Sequence, residues 1–332
     1  MRVKIQDVAR RADVSTATVS LALNGSEKVN PVTRKRVMDV AREMGYRPNP
    51  NAKRLAMRRS RQIGLIVPDI ENQYYAALAQ HTLNELLASD YALTISTSMN
   101  SPGMEKRIVS DMIAGQVEGL LIAPVERPND DPGYLSLLDG AGIPYLFVTS
   151  SYPGPGHGCV MCDLYDGMRR LLEVLWAKGY TRLALLSGAA NAFCFERRDG
   201  AFLDFAREKG LGAPRVYHLE GVRYDHAYAF ARTMPLEGVE ALVCVNDMMA
   251  LGVVNALRER GVAVPGDVAV AGFDDSIFSR VSPVSITTVR QDVHAMAALS
   301  AEWILRLARG EAEQENATQL IPCEVVVRES TG

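Results

Sequence analysis

The sequence of 332 residues predicts two parts of different class: an N-terminal all-α head of helix-turn-helix type, and an α/β body built as two doubly wound, parallel-sheet lobes. Three observations predict this. Residues 5–24 hold two short helical patterns separated by a tight break. From residue 62 onward, short β-branched runs alternate with amphipathic stretches, and the alternation runs twice. The charge divides along the same line: residues 1–61 carry a net +10 and the remainder −13, within a whole-chain charge of −3. A basic head on an acidic body is the footprint of a phosphate-binding module joined to something that does not bind polyanions.

In the head, Ile5, Val8, Ala9 and Ala12 recur at spacings of three and four, which predicts one apolar helical face. Ala17, Val19, Ala22 and Leu23 do much the same for a second helix. Asp13-Val14-Ser15 lies between them, and Ser15 is placed to cap the second helix by accepting from a free backbone N–H. Helices joined by so short a turn must cross steeply. The second then exposes Thr16, Ala17, Ser20 and Leu21, small or neutral side chains able to approach base edges in a major groove. The plainer alternative is a helical hairpin capping a larger domain. A third helix is marked by Asn30 as N-cap, Pro31 in the first helical position and Gly45 just past the end. Val32, Val37, Val40, Ala41 and Met44 give it an apolar face; Arg34, Lys35, Arg36 and Arg42 stay outside, within reach of phosphates. Pro48 and Pro50 break this helix, and residues 50–57 could form another too short to stand alone in water.

The order Asp7-Val8-Ala9, Val14-Ser15, Thr18-Val19-Ser20, Asn24, Thr33-Arg34, Val37, Gly45-Tyr46-Arg47-Pro48-Asn49 and Ala52-x-x-Leu55 resembles the head of the lactose/purine repressor (LacI) family of bacterial transcription regulators. The resemblance implies DNA contacts from Ser15, Thr16, Ala17, Thr18, Ser20, Leu21, Asn24, Arg34, Asn49, Ala52, Lys53 and Leu55. Thr16 and Ala17 take the base-reading positions, residues 50–57 form a hinge helix, and Leu55 matches a leucine wedge that kinks the operator from the minor groove. Leu21 departs from the family, which often has a basic residue there.

In the body, strands are expected at 63–67, 91–97, 119–122 and 144–148, with helices at 74–89, 104–114 and 132–140. After the glycine-proline loop 151–156 the alternation restarts with strands at 158–162, 183–187, 241–245 and 268–272, separated by helices near 165–178, 195–209 and 247–260. A weaker segment spans roughly 215–234. Such a βαβ series makes a parallel sheet covered on both faces. Ligands of open α/β sheets bind beyond the carboxyl ends of strands. That rule singles out Asp69 and Asn72 with Tyr74 and Tyr75, residues 191–197, Asn246-Asp247 and Phe273-Asp274-Asp275. Each alone is more readily read as a helix cap.

Pro68 with Asn72-Gln73-Tyr74-Tyr75, Lys178-Gly179-Tyr180, Arg197-x-x-Gly200, Asn246-Asp247-x-Met249-Ala250-x-Gly252 and Gly272-Phe273-Asp274 resemble the same family's effector domain, which is similar to periplasmic sugar-binding proteins. The resemblance implies three crossovers between the lobes and a small ligand, a sugar or sugar acid, held between them. Arg197, Asn246 and Asp274 would hydrogen-bond it, and Tyr74 and Tyr75 would give a flat wall. Asp69, Asn72, Asn191, Phe193 and Val222 complete the expected contacts. Thr149-Ser150-Ser151 replaces the family's usual Asp-Arg pair. The implied domains are residues 1–48 (helix-turn-helix), 49–61 (hinge helix and linker) and 62–332 (effector binding and dimerisation), the last with one lobe at about 62–161 and 291–321 and another at about 162–290 and 322–332.

Other chemistries find little support. Cys159-Val160-Met161-Cys162 has no second Cys/His pair at zinc spacing, and residues three apart on a strand point to opposite faces, so two buried strand cysteines are expected. No HExxH, GxSxG or P-loop is present. Neither a metal nor a cofactor is expected, nor an enzyme. No apolar run approaches the roughly 20 residues of a membrane span, and the first residues hold no apolar signal core, so a cytoplasmic protein is expected. The resulting expectation is a homodimeric regulator, most simply a repressor, that binds palindromic double-stranded operator DNA under control of the effector. The alternative is a sugar-binding or sugar-modifying α/β protein with a basic RNA-binding head.

Overall fold

The structure is a computed structural model and describes residues 3–46, 60–126, 132–152, 158–212, 214–314 and 316–332. The chain parts into two compact units, residues 1–60 and 61–332. The expected hinge helix, with Asn49, Ala52, Lys53 and Leu55, lies outside the described residues.

The head folds as helices α1 (Ile5–Ala12), α2 (Thr16–Leu23) and α3 (Pro31–Glu43). Asp13 turns left-handed at φ 50° to end α1, a conformation that aspartate tolerates better than most residues. Ser15 Oγ then accepts from Thr18 N at 3.1 Å and starts α2. Asn30 Oδ1 accepts from Val32 N at 2.9 Å and starts α3, with Pro31 as its first residue. Val8, Ala9, Ala12, Val19, Ala22, Val29, Val37 and Ala41 close a small core. Two expected core residues lie elsewhere. Val32 is 79% exposed, because the first turn of α3 faces away from the other helices, and Val29 in the preceding loop fills the core instead. Ala17 is exposed on the outward side of α2.

The body holds a six-stranded parallel sheet and a four-stranded one. The first contains β1 (Gln62–Val67), β2 (Ala92–Thr97), β3 (Gly119–Ile122), β4 (Tyr145–Val148), β5 (Gly158–Cys162) and β11 (Thr318–Ile321), in the order β11-β5-β4-β3-β1-β2. The second contains β6 (Leu183–Ser187), β7 (Arg215–His218), β8 (Ala241–Cys244) and β9 (Ala269–Ala271), in the order β7-β6-β8-β9. Every strand of β1, β3, β4, β5, β6, β8 and β9 is buried along nearly its whole length, as two-sided cover by helices requires. The strand at 158–162 completes the first sheet, paired with β4 and β11, within the lobe of about 62–161 given above, although the alternation in the sequence restarts there. An antiparallel pair, β10 (Thr288–Arg290) with β12 (Glu324–Val326), has no counterpart in the sequence pattern.

The chain leaves the first sheet after β5. It returns through β10 to the helix α12 (Val293–Arg309), counting helices in chain order, which packs on β3, β4 and β5. It crosses once more between β11 and β12. These are three crossings, at about 162–163, 290–293 and 321–324. The sheets point their carboxyl ends, and the loops that follow β1, β6, β8 and β9, at one cleft. Among the described residues no helix is long and apolar enough to cross a membrane.

Candidate functional site

In the head, α2 presents Thr16, Ala17, Ser20 and Leu21 to the outside while Val19 and Ala22 lock its other side into the core. Ser15 and Thr18 hydroxyls hydrogen-bond each other at 2.9 Å, so both are fixed by the cap that starts the helix. Asn24 ends it and is exposed. Arg34 does not stay outside as expected. It is half-buried and donates to the Ser26 carbonyl at 2.7 Å, which ties down the loop before α3. Lys35, Arg36 and Arg42 remain exposed.

In the body, the cleft has a wide mouth and a narrow recess. The mouth is a cavity of about 490 Å³ lined by Asp69, Asn72, Thr97, Asn100, Glu126, Val222, Arg223 and neighbours. The recess, about 30 Å³, is lined by Tyr74, Tyr75, Glu126, Phe195, Arg198, Asn246, Asp274 and Gln291, among others. Two helices aim most of these groups. Helix α4 (Gln73–Ala88) is capped by Asn72, whose Oδ1 accepts from Tyr74 N at 3.0 Å. Its first residues therefore face the cleft. The Tyr74 hydroxyl donates to Gln291 at 3.1 Å and the Tyr75 hydroxyl to Glu126 at 2.9 Å. The rings meet edge-on at 71°, so they form a corner and not the flat wall expected.

Helix α8 (Phe193–Lys209) supplies the arginine. Its buried stripe is Cys194, Phe195, Arg198, Ala201, Phe202 and Phe205, spaced three and four apart. Arg198 lies on that stripe and enters the recess; Arg197, the residue expected there, lies one position off phase, exposed, beside a separate cavity of about 190 Å³ with Ser150, Ser151 and Phe193. The Arg198 guanidinium sits 5.3 Å from the Phe195 ring centre and 5.4 Å from that of Phe273. It donates to the carbonyls of Val245 at 2.6 Å and Cys194 at 3.0 Å. Its Nε is buried with no partner among the described residues.

Asn246 caps α10 (Asp247–Glu259), accepting from Met249 N at 2.8 Å, and donates to the Val222 carbonyl at 2.9 Å. Much of its hydrogen-bonding capacity thus holds the site together. Asp274 takes φ 113°, a strained conformation for a residue with a Cβ. Its neighbours enforce this. The fully buried Asp247 accepts from Thr288 at 2.6 Å and from Ser276 N at 2.7 Å, and Asp275 pairs with Arg290 at 2.7 Å and with Arg328. A side chain at Gly272 would come within 2.4 Å of Asp247, so this close approach requires glycine. Asp274 itself accepts from Gln291 at 2.8 Å.

The electrostatics follow from burial. Asp274 and Glu126 are both pushed up in pKa chiefly by desolvation, with Arg198 pulling each back down. Asp247 is raised to about 7, again by burial first. Asp275 is the reverse: burial alone would raise it, but the two guanidiniums beside it more than offset that and hold it low. Asp69, expected to meet a ligand, instead pairs with Arg223 at 2.7 Å, and Glu71 joins the same guanidinium at 2.6 Å. That cluster joins the two lobes across the mouth. Phe193 lies outside the recess with its ring edge-on to Tyr152 at 6.2 Å, and Asn191 is exposed at φ 63°. Glu126, Arg198, Arg223 and Gln291 are among the lining residues not expected from the sequence. Only Arg198 carries a sequence signal, the helical stripe it shares with Phe195, Phe202 and Phe205.

The two cysteines at 159 and 162 are buried in β5, and the thiol of Cys162 lies against that of Cys323 at the third crossing. No group of three or more metal-ligating side chains occurs among the described residues.

Residues 4–49 match the model of bacterial regulatory proteins of the lacI family, and residues 172–331 that of the periplasmic binding protein-like domain. The chain is 28% identical over 335 residues to catabolite control protein A of Priestia megaterium, covering all of both. It is 30% identical to the HTH-type transcriptional regulator GalS of Salmonella typhimurium, over 93% of this chain and 91% of that one. Among solved structures, the lac repressor dimer bound to operator and the anti-inducer ONPF superposes with a TM-score of 0.87 at 26% identity, covering 100% of this chain and 99% of that one. The complex of the transcriptional regulator CelR with cellobiose superposes with a TM-score of 0.74 at 27% identity, covering 99% and 100%.

Proposed function

The chain belongs to the lacI family of bacterial regulatory proteins, and from that premise we propose how its parts divide the work of a DNA-binding transcriptional regulator. The head is one half of a two-headed reader. Two copies in a homodimer place two α2 helices in successive major grooves of a pseudo-palindromic operator. Thr16, Ala17, Ser20 and Leu21 meet base edges, and Lys35, Arg36 and Arg42 meet phosphates. Arg34 acts one step back by fixing the loop before α3. Leu55 is the proposed minor-groove wedge of the hinge. The body is the sensor: a sugar-class effector enters by the mouth and is gripped by Arg198, Asp274, Asn246 and Glu126. Its binding changes the relation of the lobes, which is a coupling free energy between two sites. The action is most simply repression, in the cytoplasm, with no enzymatic step. The relatives named above are regulators.

The observation that carries this reading is the outward side of α2. A helix whose inner residues are locked into a core leaves four small or neutral side chains in the open, on a strongly basic unit. The test is a gel shift of the full-length protein on the DNA upstream of its own gene, with and without candidate sugars. Wild type should bind that duplex better than a scrambled one, with log K falling linearly in log salt. Leu55→Ala should lose at least tenfold in affinity with the body still folded. Equal binding to scrambled DNA, or to a structured RNA, at low salt and with every sugar tried would end the regulatory reading. Unchanged binding by Leu55→Ala would end the hinge mechanism alone.

A further inference from the structure

The balance of charge in the cleft says something about the ligand that the family likeness does not. Among the described residues five carboxylates, Asp69, Glu71, Glu126, Asp274 and Glu220, line the mouth and recess, against the imidazole of His226 and two guanidiniums. One of those, Arg223, is committed to Asp69 and Glu71 across the mouth. The other, Arg198, is only 8% exposed, and two of its nitrogens are tied to backbone carbonyls. Glu126 and Asp274 therefore face one guanidinium between them, in a recess where ionised carboxylates are poorly solvated. The Glu126 carboxylate accepts from the Tyr75 hydroxyl at 2.9 Å and from the Asn100 amide at 3.4 Å, and its backbone N–H donates to Asn100 Oδ1 at 2.9 Å. Asp274 is held by Gln291 and by a strained backbone. Neither carboxyl can swing out to water without breaking these bonds. Thr149 and Ser150, uncharged, form another wall of the recess.

Among the described residues such a site holds more carboxyl than cationic groups and offers an excess of acceptors. We propose that the effector is a polyhydroxylated compound bearing a protonated amine, an amino sugar in chemical class, with its ammonium between Glu126 and Asp274 and a hydroxyl on the free Nε of Arg198. An acid-bearing sugar would set like charges beside these carboxylates in a poorly solvated space, which is unfavourable. This inference rests on the cleft being the effector site, as proposed above.

The probes are matched sets of three: glucose, glucosamine and glucuronate; galactose, galactosamine and galacturonate; mannose, mannosamine and mannuronate. Each is titrated against the full-length protein by calorimetry, with thermal shift as a parallel readout. In at least one set the amine should bind tenfold or more tighter than the neutral sugar, and the acid should bind weakest. Glu126→Gln should cut the amine-to-neutral ratio about tenfold, and the wild-type ranking stands as a test even if that variant fails to fold. A neutral sugar or an acid that binds as tightly as its amine overturns the inference and leaves the sensor reading intact. So does a Glu126→Gln protein that keeps the full ratio. No binding by any member of any set overturns the saccharide reading and the inference together.

Discussion

Glu105 is fully buried on α5 (Pro102–Ala114), where its Oε1 accepts from the Tyr152 hydroxyl at 2.9 Å and its Oε2 has no partner among the described residues. Burial raises its pKa to about 7, with the Tyr152 and Val125 hydrogen bonds pulling the other way. A carboxyl whose folded pKa lies above its unfolded one contributes stability below the unfolded value, near 4.5, and loses it as pH rises through the folded value. The body of the wild type should therefore lose about 3 kcal/mol from this group between pH 4.5 and pH 8. Glu105→Gln should lose about 3 kcal/mol less over the same range and be the more stable protein at pH 8, by about 1–3 kcal/mol. Urea unfolding at pH 5 and pH 8 measures both. A steeper slope in the glutamine variant would refute the account. At this scale the sequence is poorly legible. Nothing in residues 101–105 marks Glu105 as buried, because its position follows from how α5 packs and not from local pattern. The sequence places Asp69 and Asn246 correctly at the cleft, but their side chains are engaged with Arg223 and with a helix terminus. The first engagement depends on a residue about 150 positions away and a second bond of Asn246 on the Val222 carbonyl 24 positions away, whereas its cap is local.

The phase of a helix decides which of two adjacent arginines enters the recess. In α8, Arg198 lies between Phe195 and Phe202 on the buried stripe, and Arg197 is turned roughly 100° away. Arg198→Met should reduce the effector's power to shift DNA affinity more than tenfold, while Arg197→Met should change it less than twofold. Effector titrations of DNA release measure this, and a reversed ranking would restore the position expected from the motif. Elements read well from sequence where they are buried on two sides. The runs at 63–67, 119–122, 183–187 and 241–244 are continuous and apolar. The caps Ser15 and Asn30 are equally legible, since capping is a local property. Strands β10, β11 and β12 are not, because they are three or four residues long and partly polar. Nor is the pairing of β5 with β11. Strand partners are chosen by distant chain, and β5 has β11, more than 150 residues later, at its side.

For the whole molecule, the governing feature is that two lobes share one cleft and are clamped across its mouth by Arg223 on Asp69 and Glu71. All three side chains touch solvent, so the clamp is weak and sensitive to salt. Arg223→Ala should lower the population of the closed arrangement and weaken effector binding roughly threefold to tenfold. In the wild type the same affinity should fall between 50 and 500 mM salt. Calorimetry on both proteins tests this, and equal affinities with equal salt dependence would remove the clamp from the mechanism. The three crossings carry another consequence, for synthesis. The head is one unbroken stretch with its own core, so it is ready to fold once it clears the ribosome. Neither half of the sensor is unbroken: β11 edges the first sheet, and Ser330 closes onto Val270 of the second at 2.5 Å. A nascent chain thus displays a finished DNA reader long before it owns a finished switch. Any product stopped a few dozen residues early would be a reader without a governor, attached to two ragged halves open to proteolysis.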